Sequence, residues 1–244
     1  MFMTAEPTPP PAGGDFRPTR WTQVNRAKAG SPAGRQALAE LCEAYYGPVA
    51  AFLRHELRDA ESARELAHDF FAHLLAGGAI ARAGPEHGRF RSYLLGAVKH
   101  FLSHHRQAAH RLKRGGGAVP LSLNDTGARV VPEAGGLSPD AAYDRQWALT
   151  VVARALAALR EECAVGGRAE FFEQVKPWLT GEAVHGDQSA LAGGSGQSAN
   201  ALKVAIHRLK RRFRQLVKEE VAGTLADPGQ VEAEMRALFA ALGN

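Results

Sequence analysis

Two histidines, His100 and His104, lie four residues apart, a spacing that places both imidazoles on one face of a helix. Imidazole is a common metal ligand, but a metal site needs further ligands, and the sequence offers no third one close to this pair. The two cysteines, Cys42 and Cys163, lie far apart within apolar helical patterns, which is typical of small buried side chains in a reducing compartment. We therefore expect no bound metal and no cofactor.

No arrangement of residues in the sequence indicates catalysis. There is no phosphate-binding loop with its lysine, no His-Glu-x-x-His motif and no recognisable Ser-His-Asp combination. A helical nuclease or hydrolase would need acidic residues beside its basic face, and both basic stretches described below lack them. We therefore predict that the protein is not an enzyme.

The positive charge is concentrated in two separate stretches of the chain. The sequence holds 30 Lys and Arg residues against 25 Asp and Glu residues, for a net charge of +5. Six of the basic residues fall within residues 90–123 and seven within residues 188–218, and neither stretch contains an acid. Helices that merely face solvent usually mix acids with bases, so this distribution predicts that a polyanion binds at two places.

The first basic stretch mixes cations with aromatic rings and imidazoles. Aromatic faces beside cations can stack unpaired bases and hold the strand, so the pattern favours single-stranded nucleic acid. Phe101 and Tyr93 are also candidates for the core, and for Phe101 the core is the favoured interpretation. The residues that make the pattern are Phe90, Arg91, Tyr93, Lys99, His100, Phe101, His104, His105 and Arg106.

The second basic stretch predicts a helix-turn-helix. A short segment at residues 189–192 and a glycine-rich turn at residues 193–196 precede a basic helix from Ser198 to about Val221. The apolar residues that recur at helical spacing are predicted to face inward, and they are Leu202, Ile206, Leu209 and Phe213. The residues left outward suit base edges and phosphates, and they are Asn200, Lys203, Val204, His207, Arg208, Lys210 and Arg211.

Helical periodicity and capping signals predict the elements that position these residues. Ser31-Pro32 predicts the start of an amphipathic helix that is kinked or broken at Gly47-Pro48. Asp59 is a predicted cap for a second helix, and a third begins near Arg91. The predicted buried stripe of the second helix is Leu66, Phe70, Phe71, Leu74 and Leu75. No alternating strand pattern of useful length occurs, so the predicted fold class is all-α.

Glycine- and proline-rich segments divide the chain into two predicted helical domains joined by a flexible linker. Residues 1–16 are expected to be a disordered tail, residues 17–114 a first helical domain and residues 115–140 the linker. A helix-turn-helix domain follows at residues 141–224, and residues 225–244 form a C-terminal helical extension. We expect no signal peptide, because residues 1–14 lack a basic segment followed by an apolar stretch, and no apolar run is near the roughly 20 residues of a membrane span. We expect a cytoplasmic protein without membrane insertion.

The run DAESARELAHDFFAHLL at residues 59–75 resembles a segment of bacterial RNA polymerase sigma factors of the extracytoplasmic-function type. In that family the segment begins with acids, continues as Asp-Leu-x-Gln-Glu-x-Phe and docks on the largest subunit of the polymerase. The resemblance implies a polymerase contact formed by Glu61, Glu65, Leu66, His68, Asp69 and Phe71. The linker start KRGGG at residues 113–117 resembles a subgroup of the same family.

Two further segments are similar to the family's DNA-reading elements. GRFRSYLLGAVKHFL at residues 88–102 resembles the Gly-x-Phe-x-x-Trp-Leu helix, which with the preceding loop reads and melts the minus-ten element. ALKVAIHRLKRRF at residues 201–213 resembles the recognition helix for the minus-thirty-five element. The implied minus-ten contacts are His87, Arg89, Phe90, Arg91, Tyr93, Lys99, His100, His104, Arg106 and Arg111. The implied minus-thirty-five contacts are Ser198, Asn200, Lys203, Val204, His207, Arg208, Lys210 and Arg211.

The resemblance implies a sigma factor whose partners are core RNA polymerase and promoter DNA, with an anti-sigma factor as a further potential partner. The main alternative is a stand-alone helix-turn-helix repressor that binds promoter duplex without polymerase and uses its N-terminal helices to dimerise. A nuclease or hydrolase is the least favoured alternative. The sequence identifies neither the promoter nor the inducing signal.

Overall fold

The structure, a computed structural model, describes residues 20–28, 31–76, 80, 83–84, 88–115, 136–181, 198–225 and 227–243. Within these residues the chain forms eight α-helices, one 3-10 turn and no strand, which confirms the all-α prediction. The helices are α1 (Arg20–Ala27), α2 (Pro32–Leu57), α3 (Ala60–Ala76), α4 (Phe90–Gly115), α5 (Pro139–Val165), α6 (Ala169–Thr180), α7 (Ala199–Ala222) and α8 (Val231–Gly243). The 3-10 turn is Pro228–Gln230. Of these described helices, none has the length and apolar character to cross a membrane.

Short polar side chains cap four of the described helices. Ser31, Ser138 and Ser198 each precede a helix, and each Oγ accepts a hydrogen bond from the backbone N–H three residues later, at 3.0, 3.1 and 3.2 Å respectively. Asp59 caps α3, because its carboxylate accepts from the N–H of Ser62 at 3.0 Å. The predicted starts at Ser31, Asp59 and Ser198 are therefore confirmed.

Helix α2 is continuous through Gly47-Pro48, so the predicted break is wrong, and the alternative of a kink stays a prediction. Pro48 lies inside the helix and is buried, together with Val49. Proline removes one hydrogen bond and costs an exposed helix about 3 kcal/mol, so packing must offset that cost here. Gly47 allows α2 to approach α5 closely, because a Cβ at this position would lie only 3.3 Å from the side-chain nitrogen of Gln146 on α5.

Helix α5 is the centre of the fold. It packs against α2 on one side and against α6, α7 and α8 on the others. One continuous hydrophobic core includes Leu53 of α2, Leu94 of α4, Tyr143 of α5, Leu202 of α7 and Leu238 of α8, each at most 1% exposed. Helices that the sequence assigns to two domains therefore contact each other in this structure, and the domain boundary itself stays a prediction.

The predicted buried stripe of α3 is correct except at its last member. Leu66, Phe70, Phe71 and Leu74 are buried, but Leu75 is 49% exposed. At about 100° per residue, Leu75 lies about 40° beyond Phe71 on the side away from Phe70, which places it at the outer edge of the buried stripe.

Two glycines inside helices predict opposite responses to the same substitution. A Cβ on Gly34 would lie 2.7 Å from the carbonyl oxygen of Arg26, whereas a Cβ on Gly96 would meet no atom within 4 Å. Gly34→Ala should lower the free energy of unfolding by about 1–3 kcal/mol, because α1 and α2 must move apart. Gly96→Ala should raise it by about 0.5–1 kcal/mol, because alanine favours the helix. Urea denaturation followed by circular dichroism measures both. Equal effects at the two positions would contradict the packing of α1 on α2.

Candidate nucleic-acid interface

The predicted minus-ten residues of α4 are divided between its surface and the core. Tyr93, His100 and His104 line an open groove between α3 and α4 with a volume of about 850 Å³. Phe90 and Arg91 are buried, at 1% and 9% exposure. The structure therefore brings the ring-bearing residues together and places the first two residues of the helix in the core.

The groove is lined by aromatic rings and imidazoles. Phe101 meets Phe70 edge-on, with ring centroids 5.5 Å apart, and the ring of His73 lies 5.6 Å from Phe101. Gly96 contributes no side chain, which leaves space beside the rings. The described residues that line the groove include no carboxylate. Flat apolar surfaces with hydrogen-bonding rims and no negative charge are suited to an unpaired nucleobase.

The His100–His104 pair forms a hydrogen bond. Their Nε2 atoms lie 3.1 Å apart and their ring centroids 4.4 Å apart, so one imidazole donates and the other accepts. In the part of the chain that the structure describes, no three His, Cys, Asp or Glu side chains are grouped so that they could hold a metal ion. Both rings are exposed, and a base or phosphate can reach them.

Arg91 lies at the centre of a buried ion cluster. Its Nε donates to Oε1 of Glu234 on α8 at 2.5 Å, and its Nη1 donates to Oδ1 of Asp144 on α5. Its guanidinium also lies over the ring of Trp147, 4.5 Å from the centroid. Arg89 adds a second ion pair to Glu234 at 2.6 Å. Sequence reasoning missed Glu234, whose only signal is an acid on the apolar face of a predicted helix.

The burial of this cluster changes the pKa values of its members. Burial disfavours the charged form of Arg91, but its hydrogen bond to Glu234 and the charges of Glu234 and Asp144 outweigh that effect and raise the pKa of the guanidinium. Burial raises the pKa of Asp144, against the opposing charge of Arg91. Tyr143 donates its hydroxyl to the Arg91 carbonyl at 3.0 Å, and its complete burial raises its pKa well above the ordinary value. Tyr143 therefore stays neutral.

The other candidate cations of α4 pair at the surface. Lys99 donates to Asp140 at 2.7 Å and Arg106 to Glu56 at 3.1 Å, and both basic side chains are about half exposed. Exposed pairs contribute little stability, so these cations can exchange a carboxylate for a phosphate. His87 and the side chain of Arg111 lie outside the described residues.

Helix α7 is amphipathic in the predicted sense. Leu202, Ile206 and Leu209 are buried, and Phe213 is half-buried against the same core. Six of the predicted outward residues are exposed, and only Lys210 is half-buried; the six are Asn200, Lys203, Val204, His207, Arg208 and Arg211. The Ser198 hydroxyl already caps the helix. The short segment and turn predicted before α7 lie outside the described residues, so the helix-turn-helix stays a prediction.

Arg212, which is not among the candidates, holds α7 to α5. It donates to both carboxylate oxygens of Glu162, at 2.9 and 2.5 Å, and to Glu219 at 3.1 Å. The hydrogen bonds to Glu162 are the main reason that its pKa is raised. One basic residue of α7, Arg212, therefore connects the helix to α5, whereas others, such as Arg208, face solvent.

The residues of the predicted polymerase contact on α3 are partly exposed and partly buried. Glu61, Glu65, His68 and Asp69 are exposed and form the acidic face of α3. Leu66 and Phe71 are buried, so in this structure they support that face from beneath. Tyr46 of α2, which sequence reasoning missed, borders the face: its hydroxyl lies 3.0 Å from Nε2 of His68, and its ring stacks on Phe71.

In comparisons with known proteins, no family model matches the chain, and neither a curated protein nor a solved structure is found to be similar to it. The functional assignment therefore depends on the residues and their geometry.

Arg91 and Lys99 lie on the same helix, and the structure predicts different effects of removing them. Arg91→Ala should lower the free energy of unfolding by about 3 kcal/mol, because Asp144 loses its buried partner and Glu234 keeps only Arg89. Lys99→Ala should change it by less than about 1 kcal/mol, because the pair with Asp140 is exposed. Chemical denaturation of both variants measures the difference. Similar small losses would show that Arg91 is not part of the core in solution.

Proposed function

We propose that the protein is a sigma factor of the extracytoplasmic-function type, which binds core RNA polymerase, directs it to promoters and helps to melt them. The observation that carries the proposal is the order of three surfaces along the chain. An acidic face on α3 comes first, a groove lined by rings on α4 follows, and the exposed basic face of α7 comes last. The family resemblance places polymerase docking, the minus-ten contact and the minus-thirty-five contact in this same order.

The acidic face of α3 supports a protein contact. Glu61, Glu65 and Asp69 recur at a spacing of four residues, so they project from one side of the helix. Arg64 pairs with Glu61 at 3.1 Å at the edge of the face, where both side chains are largely exposed. A row of carboxylates repels DNA and suits a basic protein surface, which favours polymerase over promoter as its partner.

The groove between α3 and α4 supports capture of an unpaired base. Its rings offer stacking surfaces, and its imidazoles offer hydrogen bonds to base edges or phosphates. Lys99 and Arg106, on the same helix, provide exchangeable positive charge for the strand. The chemistry in this proposal belongs to the polymerase, so the chain itself needs no catalytic residue.

Helix α7 supports duplex binding through its outward Asn, Lys and Arg side chains. Asn and Arg can each form two hydrogen bonds with a base edge in the major groove, and Lys neutralises phosphates. The proposed partners are therefore core polymerase and promoter DNA, and the proposed location is the cytoplasm. An anti-sigma factor is a further proposed partner.

Run-off transcription with purified bacterial core polymerase tests the proposal. We expect new discrete transcripts from promoter fragments of the source genome when the protein is added. Asp69→Arg should reduce them by at least about tenfold, because charge reversal on the docking face removes more than about 1.4 kcal/mol of binding free energy.

Glu161→Arg is the matched control for Asp69→Arg. Glu161 is also exposed, lies on a different helix, α5, and its replacement changes the charge by the same amount. Equal loss with both variants would contradict the docking face. Binding of promoter duplex without any transcripts would favour the stand-alone repressor.

A second test distinguishes basic residues of α7 that contact DNA from those that form ion pairs within the protein. Arg208→Ala should weaken binding to duplex DNA and flatten the dependence of log affinity on log salt by about 0.9, the effect of one phosphate contact. Arg212→Ala should leave that slope unchanged, because Arg212 is engaged with Glu162 and Glu219. Fluorescence anisotropy across a salt series gives both slopes. The same slope change in both variants would show that α7 binds DNA through a different face.

A further inference from the structure

The C-terminal helix α8 reaches across the fold to the start of α4. Glu234 is fully buried, although it is a carboxylate, and it lies 143 positions along the chain from Arg91. Its Oε1 accepts from Nε of Arg91, and its Oε2 accepts from Nη2 of Arg91 at 3.3 Å and pairs with Nη1 of Arg89 at 2.6 Å. One carboxylate of α8 thus binds two guanidinium groups at the start of α4, that of Arg91 in its first turn and that of Arg89 just before it.

Those two guanidinium groups belong to the segment for which the proposed function requires contact with DNA. A carboxylate that takes two parallel hydrogen bonds from an arginine uses the same donors that a phosphate would use. Glu234 and Asp144 together neutralise Arg89 and Arg91, so in this state α4 offers neither cation to a strand. If α8 left, Arg89 would lose Glu234 as its acidic partner, and Arg91 would still pair with Asp144.

Helix α8 is a small element. It has 13 residues; Val231, Leu238 and Ala241 are buried in the core, and Met235 and Leu242 are partly buried against it. Its further polar link is an exposed pair at 2.7 Å between Glu232 and Lys218 of α7. A terminal helix of this size buries fewer side chains than α2 or α5, so it can detach at a lower free energy than those central helices.

We propose that α8 is an internal competitor of nucleic acid: Glu234 occupies the guanidinium groups of Arg89 and Arg91, and the strand binds them after α8 leaves. This inference rests on the proposed function and adds a regulatory step to it. The closed state carries a complete ion cluster, and the open state exposes the two cations Arg89 and Arg91 at the start of α4. Any ligand that binds those cations shifts the equilibrium toward the open state.

Two glutamates of α8 provide a matched pair of variants. Glu234→Gln keeps the shape of the side chain but removes its charge, which weakens the hold on Arg89 and Arg91. Glu232→Gln, on the same helix, changes the net charge of the full-length protein by the same amount. Glu232 is 74% exposed and pairs with Lys218 of α7, not with α4. The probe is a fluorescein-labelled, mixed-sequence, single-stranded DNA of about 20 nucleotides, followed by anisotropy across a salt series.

We expect Glu234→Gln to bind this DNA at least about fivefold more tightly than the unaltered protein, with the salt dependence steeper by about 1.4 for two added phosphate contacts. Glu232→Gln should change the affinity by less than about twofold. If both variants bind like the unaltered protein, the inference is wrong and the proposed function is unaffected. If no form binds DNA and none supports transcription with core polymerase, the proposed function fails, and the inference fails with it.

Hydrogen exchange on the unaltered protein gives a second test that does not depend on folding of a variant. At saturating single-stranded DNA, the backbone amides of α8 should exchange at least about tenfold faster, while those of α2 keep their protection. Unchanged or slower exchange in α8 would overturn the competition between α8 and DNA.

Discussion

The guanidinium of Arg91 connects three helices that are far apart in sequence. The guanidinium pairs with Glu234 of α8 and Asp144 of α5 and lies over the ring of Trp147. The backbone carbonyl of Arg91 accepts a hydrogen bond from the Tyr143 hydroxyl. A buried ion pair of this kind adds little net stability over apolar packing, but removal of one partner leaves an uncompensated charge and is expensive. The arrangement of α4, α5 and α8 therefore depends on all members of the cluster being present together.

Phe90 and Arg91 face inward and thereby define the register of α4. Leu94, Val98 and Leu102 continue the buried side, His100 and His104 line the groove against α3, and Lys99 lies on the other flank, beside Phe52 of α2. The groove against α3 is a consequence of this register. The proposed single-strand contact and the core packing thus occupy the two sides of one helix, and a rotation of α4 would disturb both.

The basic side chains of the protein divide into those that connect helices and those that lie at the surface. Cations that brace the fold, such as Arg91 and Arg212, pair with carboxylates from other helices. Cations at the surface either form exposed pairs, as Lys99 does, or face solvent, as Lys203 and Arg208 do on α7. Two stretches that look alike in sequence therefore supply both structural ion pairs and the surface charge that the proposed function needs.

The sequence alone determined the helical class, the caps at Ser31, Asp59 and Ser198, and the inward stripe of α7, because these depend on residues within a few positions of each other. It could not determine the partners of Arg91, since Asp144 and Glu234 lie 53 and 143 positions away. It also predicted a kink or a break at Gly47-Pro48, where the helix continues and packs against α5. Which cations are buried, and how the C-terminal helix meets α4, was decided by tertiary structure alone, because burial and ion pairing between distant segments exist only once the chain has folded.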